Sequence, residues 1–187
     1  MNTGTKNWLS TVFVVVAGFL AVFAQAAFTG VRHLLGGQID LLPALMVYAA
    51  LRTSLVSVAV FAFLGGIWFD ALSANPLGVT VLPLFLVGLG ISIYRELILR
   101  EQFFAQLALG AGASAAVPVL VLLLLLTTGQ KPLVGWGTAW QLLIMIVAGT
   151  AATPALFMVF GFLHRLLGHQ GPPELSFRPD REIRRGR

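Results

Sequence analysis

The stretch Gly65-Gly-Ile-Trp-Phe-Asp-Ala-Leu-Ser-Ala-Asn-Pro-Leu-Gly78 places one carboxylate, that of Asp70, and the start signal of a new helix between two strongly apolar runs. Asn75 followed by Pro76 is typical of an N-cap residue before a proline at the first helical position. An acidic side chain at the edge of a hydrocarbon layer is costly unless it has a partner. The stretch therefore predicts a corner between two membrane helices, with Asp70 as a functional candidate.

Composition predicts that a lipid bilayer surrounds most of the chain. Of 187 residues, 58% are hydrophobic and 10% are charged, and the mean hydropathy is +0.91. This leaves too little polar surface for a soluble globule. We expect an all-α integral membrane protein, a bundle of about six transmembrane helices, since one span needs about 20 residues. Residues 1–168 form the predicted polytopic membrane domain, and residues 169–187 a basic, disordered cytoplasmic tail.

Six apolar segments carry this prediction, and two of them have alternative interpretations. They run from Trp8 to about Gly30, Leu41 to Leu51, Leu55 to Leu72, Pro76 to about Tyr94, Phe103 to about Thr128, and Trp140 to Leu167. The first could instead be a cleaved signal peptide, because Ala24-Gln25-Ala26 has the form of a cleavage site. The second would cover only ~17 Å, so it is either re-entrant or a span across a thinned bilayer.

Small residues mark expected helix contacts. The run Ala108 to Ala116, which includes Gly112, consists almost entirely of small side chains. Such residues let helix backbones approach closely within a bilayer. The pair Gly65-Gly66 also lies inside an apolar helix, where it indicates helix packing instead of phosphate binding.

Basic residues predict the orientation of the chain. With six spans and both termini in the cytoplasm, ten basic residues lie inside and two, Arg32 and Lys131, lie outside. The inner ten are Lys6, Arg52, Arg95, Arg100, Arg165, Arg178, Arg181, Arg184, Arg185 and Arg187. The net charge of +5 is thus attributed to topology and lipid headgroup contact, and no nucleic-acid partner is expected. Asp40 and Asp70 then fall at the outer face.

Two polar positions have both a structural and a functional interpretation. Asp70 and Ser73 could accept hydrogen bonds from free backbone N–H groups at the start of the helix after Asn75 and Pro76. Alternatively, Asp70 binds a partner helix, a cation or a substrate. Arg52 could anchor a partner at the inner face, or follow the positive-inside rule and reach the headgroups, with Tyr48 stacked beneath it.

No catalytic, cofactor or metal residue is predicted. The three histidines, His33, His164 and His169, lack the spacing of a shared metal site. Ser73, His33 and Asp70 are not accompanied by a nucleophile elbow or an oxyanion loop. The chain has no cysteine, which excludes thiol catalysis and thiolate metal sites.

A family resemblance rests on the run Pro43-Ala-Leu-Met-Val-Tyr-Ala-Ala-Leu-Arg52 and the residues that follow it, Gly65, Asp70, Ser73, Pro76, Leu77 and Gly78. In sequence and spacing these residues resemble the MreD family of rod shape-determining proteins. The motif stretch covers about a quarter of the chain, and length and span number extend the resemblance to the whole.

The resemblance implies a non-catalytic subunit of the bacterial elongasome in the inner membrane. Its implied partners are the bitopic protein MreC, the actin-like MreB filament, the glycosyltransferase RodA and a penicillin-binding transpeptidase. The implied fold is that of the substrate-binding subunits of energy-coupling-factor transporters. A vitamin-binding subunit of such a transporter is the alternative function, and it would need a cavity with convergent polar groups.

Overall fold

The computed structural model describes residues 3–27, 39–73, 75–95, 103–129 and 135–167, and the regular elements in these ranges are all helices. The predicted all-α class is therefore confirmed. The helices are α1 (Thr3–Ala27), α2 (Leu42–Arg52), α3 (Leu55–Leu72), α4 (Val81–Tyr94), α5 (Phe103–Thr127) and α6 (Trp136–Leu167). The expected tail, residues 169–187, and the turn around Arg32 and His33 lie outside the described residues.

The short helix α2 forms the centre of the bundle. Every residue from Leu42 to Leu51 is buried, and α2 contacts each of the other five described helices. A helix of 11 residues is about 16 Å long, too short to span a bilayer of ordinary thickness. Since its neighbours cover α2 on all sides, its apolar character comes from the protein core and not from lipid contact.

Side-chain contacts define the two ends of the bundle. Tyr48, near the end of α2, packs against Phe157 and Phe160 of α6, and Phe13 of α1 also contacts Phe160. Arg52 and Arg95 lie at this end, which we call the arginine end, since the Arg95 side chain donates to the carbonyl of the residue after Arg52.

The opposite end contains Asp40 and Asp70, and we call it the aspartate end. The side-chain amide of Gln25 in α1 is oriented with its nitrogen towards Ile39 O and its oxygen towards Leu41 N. In this orientation it donates to Ile39 O (3.2 Å) and accepts from Leu41 N (2.9 Å). These bonds tie the last turn of α1 to the start of α2. Thus α2 runs from the aspartate end to the arginine end.

The outer surface of the bundle is apolar. Four of the residues with described side chains are charged, namely Asp40, Arg52, Asp70 and Arg95, and all four lie near the ends. Three helical segments are long and apolar enough to cross a membrane: Leu55–Leu72, Phe103–Thr127 and Trp136–Leu163. Three others are shorter: Thr11–Gln25, Leu42–Arg52 and Val81–Tyr94. This surface is that of a membrane protein.

Exposed aromatic side chains occur at both ends. Trp136 is 87% exposed near the aspartate end, and Phe104 is 82% exposed near the arginine end. Trp concentrates where a bilayer meets water, so the position of Trp136 at one end of the apolar bundle is typical of a membrane protein.

Small residues bring α5 and α6 together, as the run Ala108 to Ala116 predicts. A Cβ atom added at Gly110 would lie 2.8 Å from the Cβ of Thr153, and one at Gly149 would lie 2.6 Å from the Cβ of Ser114. The prediction that Gly112 belongs to this contact is wrong, because the space around Gly112 is open. It lies two residues from Gly110, on a different face of the helix.

We expect Gly110→Ala to destabilise the bundle and the matched variant Gly112→Ala to leave it intact. The methyl group at position 110 would meet Thr153 and overpack the contact, at a cost of ~1 to 3 kcal/mol. At position 112 nothing opposes it, and alanine gains up to ~1 kcal/mol in helix propensity. Thermal unfolding of both purified variants in detergent measures the difference, and equal stabilities would contradict the tight α5–α6 contact.

Candidate functional site

Residues 73 and 75–80 connect α3 to α4, and we call this connection the corner. The two helices approach each other closely beside it. A Cβ atom added at Gly66 would lie 2.8 Å from Cα and 2.9 Å from N of Val81, the first residue of α4. Only a residue without a side chain fits here, because the neighbour is backbone that cannot rotate away. This contact holds the start of α4 beside the last turns of α3, so residues 75–80 fold back over Asp70.

Asp70 binds the loop with both carboxylate oxygens. Its side chain is 1% exposed. Oδ2 accepts hydrogen bonds from Gly78 N (2.9 Å) and Thr80 N (3.0 Å), and Oδ1 accepts one from the Thr80 hydroxyl. Charge-assisted bonds of this kind are roughly twice as strong as those between neutral groups. We call Asp70, Gly78 and Thr80 the Asp70 clamp.

The predicted role of Asp70 as an acceptor of backbone N–H groups is confirmed, but the predicted helix start is wrong. Helix α4 begins at Val81 and not at Pro76. Residues 77–80 form turns, in which Val79 N donates to Pro76 O (3.4 Å) and Val81 N to Gly78 O (3.3 Å). Gly78 has φ = +90°, a conformation that interrupts any helix continuing from Pro76.

Ser73 and Asn75 have roles different from those predicted. The Ser73 hydroxyl donates to Phe69 O (2.8 Å) and Asp70 O (3.4 Å), so it ends α3 and does not accept from the next helix. Asn75 and Pro76 lie in the loop before the turns, half-buried and exposed respectively, and Asn75 is not the N-cap of α4.

Thr80 is the member of the clamp that the sequence did not reveal. It is 1% exposed and contributes two of the three donors to Asp70. Ten residues separate it from Asp70, so no local pattern connects the two. The apparent helix start at Asn75-Pro76 also concealed it, because it predicts that residue 80 lies within a helix.

Asp40, the second aspartate at this end, accepts a hydrogen bond at the start of α2. Asp40 is 5% exposed, and its Oδ1 accepts a hydrogen bond from Leu42 N (2.9 Å) at the first residue of α2. A carboxylate is favourable there because a helix N-terminus carries free N–H groups and a positive partial charge. Both aspartates of this end therefore turn inward onto backbone donors.

The arginine end is organised by aromatic rings and backbone carbonyls. The Arg52 guanidinium lies 5.8 Å from the centre of the Phe157 ring. The ring of Tyr48 stacks on Phe160 at 4.3 Å, and the sequence did not predict the contact of Arg52 with Phe157. Arg95 Nη1 donates to Thr53 O (3.1 Å), which joins the end of α4 to the turn between α2 and α3.

Hydroxyl groups connect α1 to the start of α3 near the same end. Thr11 Oγ1 lies 2.5 Å from Ser57 Oγ, which in turn lies 2.9 Å from Ser54 Oγ. Ser54 is the N-cap of α3, with its hydroxyl accepting from Ser57 N at 3.3 Å. These hydroxyl groups thus hold α1 and α3 together at this end.

No family model, curated protein or solved structure matches this chain. Its function must therefore be argued from its own residues. Within the described ranges, no group of three or more His, Cys, Asp and Glu residues could hold a metal ion. His33, His169 and the side chain of His164 lie outside what the structure describes.

The six site candidates from the sequence fall into two separate places. Asp70, Ser73, Asn75, Pro76 and Gly78 share one corner at the aspartate end, whereas Arg52 lies at the arginine end. The donors of the corner occupy both oxygens of Asp70. The clamp consequently fixes the shape of a surface loop, which places the exposed residues Pro76 and Leu77 at its tip.

Two substitutions at position 70 separate the hydrogen-bonding role of Asp70 from its charge. In Asp70→Asn, the amide oxygen can accept from Gly78 N and Thr80 N while the NH₂ group donates to the Thr80 hydroxyl, so we expect a loss under ~1 kcal/mol. Asp70→Leu leaves three donors without an acceptor, and each stranded group costs ~1 to 3 kcal/mol. Membrane abundance and thermal unfolding in detergent measure both variants.

If the protein needs the negative charge of Asp70 to bind a partner, the Asp70→Asn variant gives a different result. If the carboxylate bound a partner cation, Asp70→Asn would be abundant and folded but would lose that partner on purification from native membranes. Asp70→Leu with wild-type stability would instead show that the clamp contributes nothing to folding.

Proposed function

We propose that this protein is a non-catalytic membrane scaffold subunit of the bacterial elongasome, which supports rod shape and lateral peptidoglycan synthesis. Its most direct partner is MreC. MreB, RodA and a penicillin-binding transpeptidase join it directly or through MreC, and membrane lipid surrounds the bundle. The observation that carries the proposal is that the residues resembling the MreD family form one connected structural unit.

That unit consists of the central helix and the corner held by the Asp70 clamp. The run Pro43 to Arg52 is α2 almost from end to end. A Cβ added at Gly65 would lie 3.3 Å from Leu42 Cδ2, so Gly65 adjoins the start of α2. Five residues later, Asp70 fixes Gly78 and the loop. The buried positions of the pattern thus pack the central helix or shape the corner.

This distribution favours a scaffold over an enzyme. The buried carboxylate of Asp70 is engaged by the loop's own donors, which suits a fixed surface better than proton transfer to a substrate. A bundle whose loops are held by internal hydrogen bonds presents the same surfaces at all times. Preorganisation of this kind lowers the entropy cost of binding a partner.

Copurification from native membranes tests the proposal. We expect the full chain, expressed at its normal level in a rod-shaped bacterium, to bring down MreC together with other elongasome proteins. Gly112→Ala serves as a folded control variant and is expected to recover the same set. Recovery of an energy-coupling ATPase module would support the vitamin-binding alternative, and recovery of neither would contradict the proposal.

The proposed location is the bacterial inner membrane, crossed several times with both termini in the cytoplasm. The contact between Arg95 and Thr53 O supports this, because it places two arginines, Arg52 and Arg95, at one end of the bundle. The other end has the two aspartates turned inward. Basic residues favour the cytoplasmic side, so the arginine end faces the cytoplasm.

Reporter fusions test this orientation. A reporter that is active only in the periplasm is expected to be inactive when fused after Arg187 and active when fused after Gly129, which follows α5 at the aspartate end. The five arginines near the C-terminus and the arginine end both oppose inversion. Periplasmic activity of the Arg187 fusion would contradict the proposed topology.

A further inference from the structure

The hairpin formed by α3, the corner and α4 lacks exposed charge. From Ser54 to Tyr94 the sequence contains one charged residue, Asp70. Its carboxylate is buried and faces the loop's own N–H and hydroxyl groups. The corner that joins two membrane helices thus presents no charge to its surroundings, although such connections usually lie in water.

Instead of charge, the corner exposes leucines. Leu77 at its tip is 70% exposed, Leu72 at the end of α3 is 60% exposed, and Leu82 in the first turn of α4 is 49% exposed. We call these three residues the leucine patch. It continues the apolar outer faces of the two helices, where Phe63 and Leu86 are 57% and 47% exposed. The apolar surface therefore extends past the helix ends onto the loop.

The backbone of the corner is also adapted to a medium poor in water. Hydrogen bonds within the corner and the adjoining turns satisfy the N–H groups of Ser73, Gly78, Val79, Thr80 and Val81. Asp70 accepts two of these bonds. These five N–H groups need no water. The remaining polar groups of the loop meet headgroups and water at the depth of the bilayer interface, because irregular backbone that faces the hydrocarbon itself would leave polar groups unsatisfied.

We infer that the corner lies within the bilayer interface, with the leucine patch against lipid acyl chains. The lipid of the leaflet at the aspartate end is the partner of this surface. Continuity with the apolar outer sides of α3 and α4 identifies this occupant, since Leu72 and Leu82 lie in the same helices as the exposed Phe63 and Leu86. Asp70 then acts as a positioning residue that makes immersion of the loop possible.

The connection between α5 and α6 provides the natural comparison at the same end of the bundle. It follows Thr127, the last residue of α5, and its sequence contains Thr128, Gln130 and Lys131; both threonines are exposed. A connection with these residues belongs in water. The inference concerns lipid contact alone and holds whichever complex the protein joins.

The absence of cysteine from the chain makes a direct test possible. Leu77→Cys and, as matched control, Thr128→Cys are each labelled with an environment-sensitive fluorophore and reconstituted into phosphatidylcholine vesicles. Some of the vesicle lipids carry a nitroxide quencher on the acyl chain near the headgroup. We expect the label at position 77 to lose most of its fluorescence and the label at position 128 to keep nearly all of it.

The opposite result would overturn the inference. Unquenched fluorescence at position 77, together with modification by a membrane-impermeant maleimide as fast as at position 128, would place the leucine patch in water, where a protein partner could cover it. Equal quenching at both positions would show that immersion is not a property of this corner. If Leu77→Cys does not fold, Leu72→Cys at the other side of the patch gives the same comparison.

Discussion

The burial of α2 on every side is the constraint on which the rest of the structure depends. A helix at the centre of five others can be enclosed only if its neighbours approach closely and leave no gaps. Glycines supply this approach. A Cβ added at Gly88 of α4 would lie 2.7 Å from Val58 Cγ1 and 3.1 Å from Met46 Cγ, so α4 can touch α2 and α3 there only without a side chain. The arrangement explains why an 11-residue helix can be stable without spanning the bilayer by itself.

The charged side chains with described positions lie where the burial of the core costs little free energy. The carboxylates of Asp40 and Asp70 accept from backbone N–H groups at the start of α2 and at the corner before α4. Arg52 is exposed and Arg95 half-buried at the other end, where the Arg95 side chain contacts a backbone carbonyl. Each aspartate therefore accepts hydrogen bonds from otherwise free backbone donors. Internal hydrogen bonds to carboxylates stabilise one end of the bundle, and the two arginines with described side chains lie at the other.

The sequence predicted the helices better than it predicted their connections. Long apolar runs and small residues have local signals, so the all-α class, the acceptor role of Asp70 and the contact along the run Ala108 to Ala116 were all predictable. The start of α4 was not, because Gly78 with φ = +90° overrides the Asn75-Pro76 signal. Thr80 and Phe157 were missed because their partners, Asp70 and Arg52, are distant in sequence. Nor could the sequence reveal that α2 is central, since a buried helix and a lipid-facing helix have the same apolar composition.

Tryptophan scanning of α2 tests the central claim most directly. Each residue from Leu42 to Leu51 is replaced in turn, and the abundance of folded protein in the membrane is measured. In a helix enclosed on all sides no position has room for the larger ring, so every replacement is expected to lower abundance. Helix α4 provides the internal comparison, because its exposed residues Leu82, Leu86 and Ile93 should accept tryptophan while the buried Leu84 should not. A helical period of tolerated positions along α2 would show that one of its faces meets lipid, and would contradict its place at the centre of the bundle.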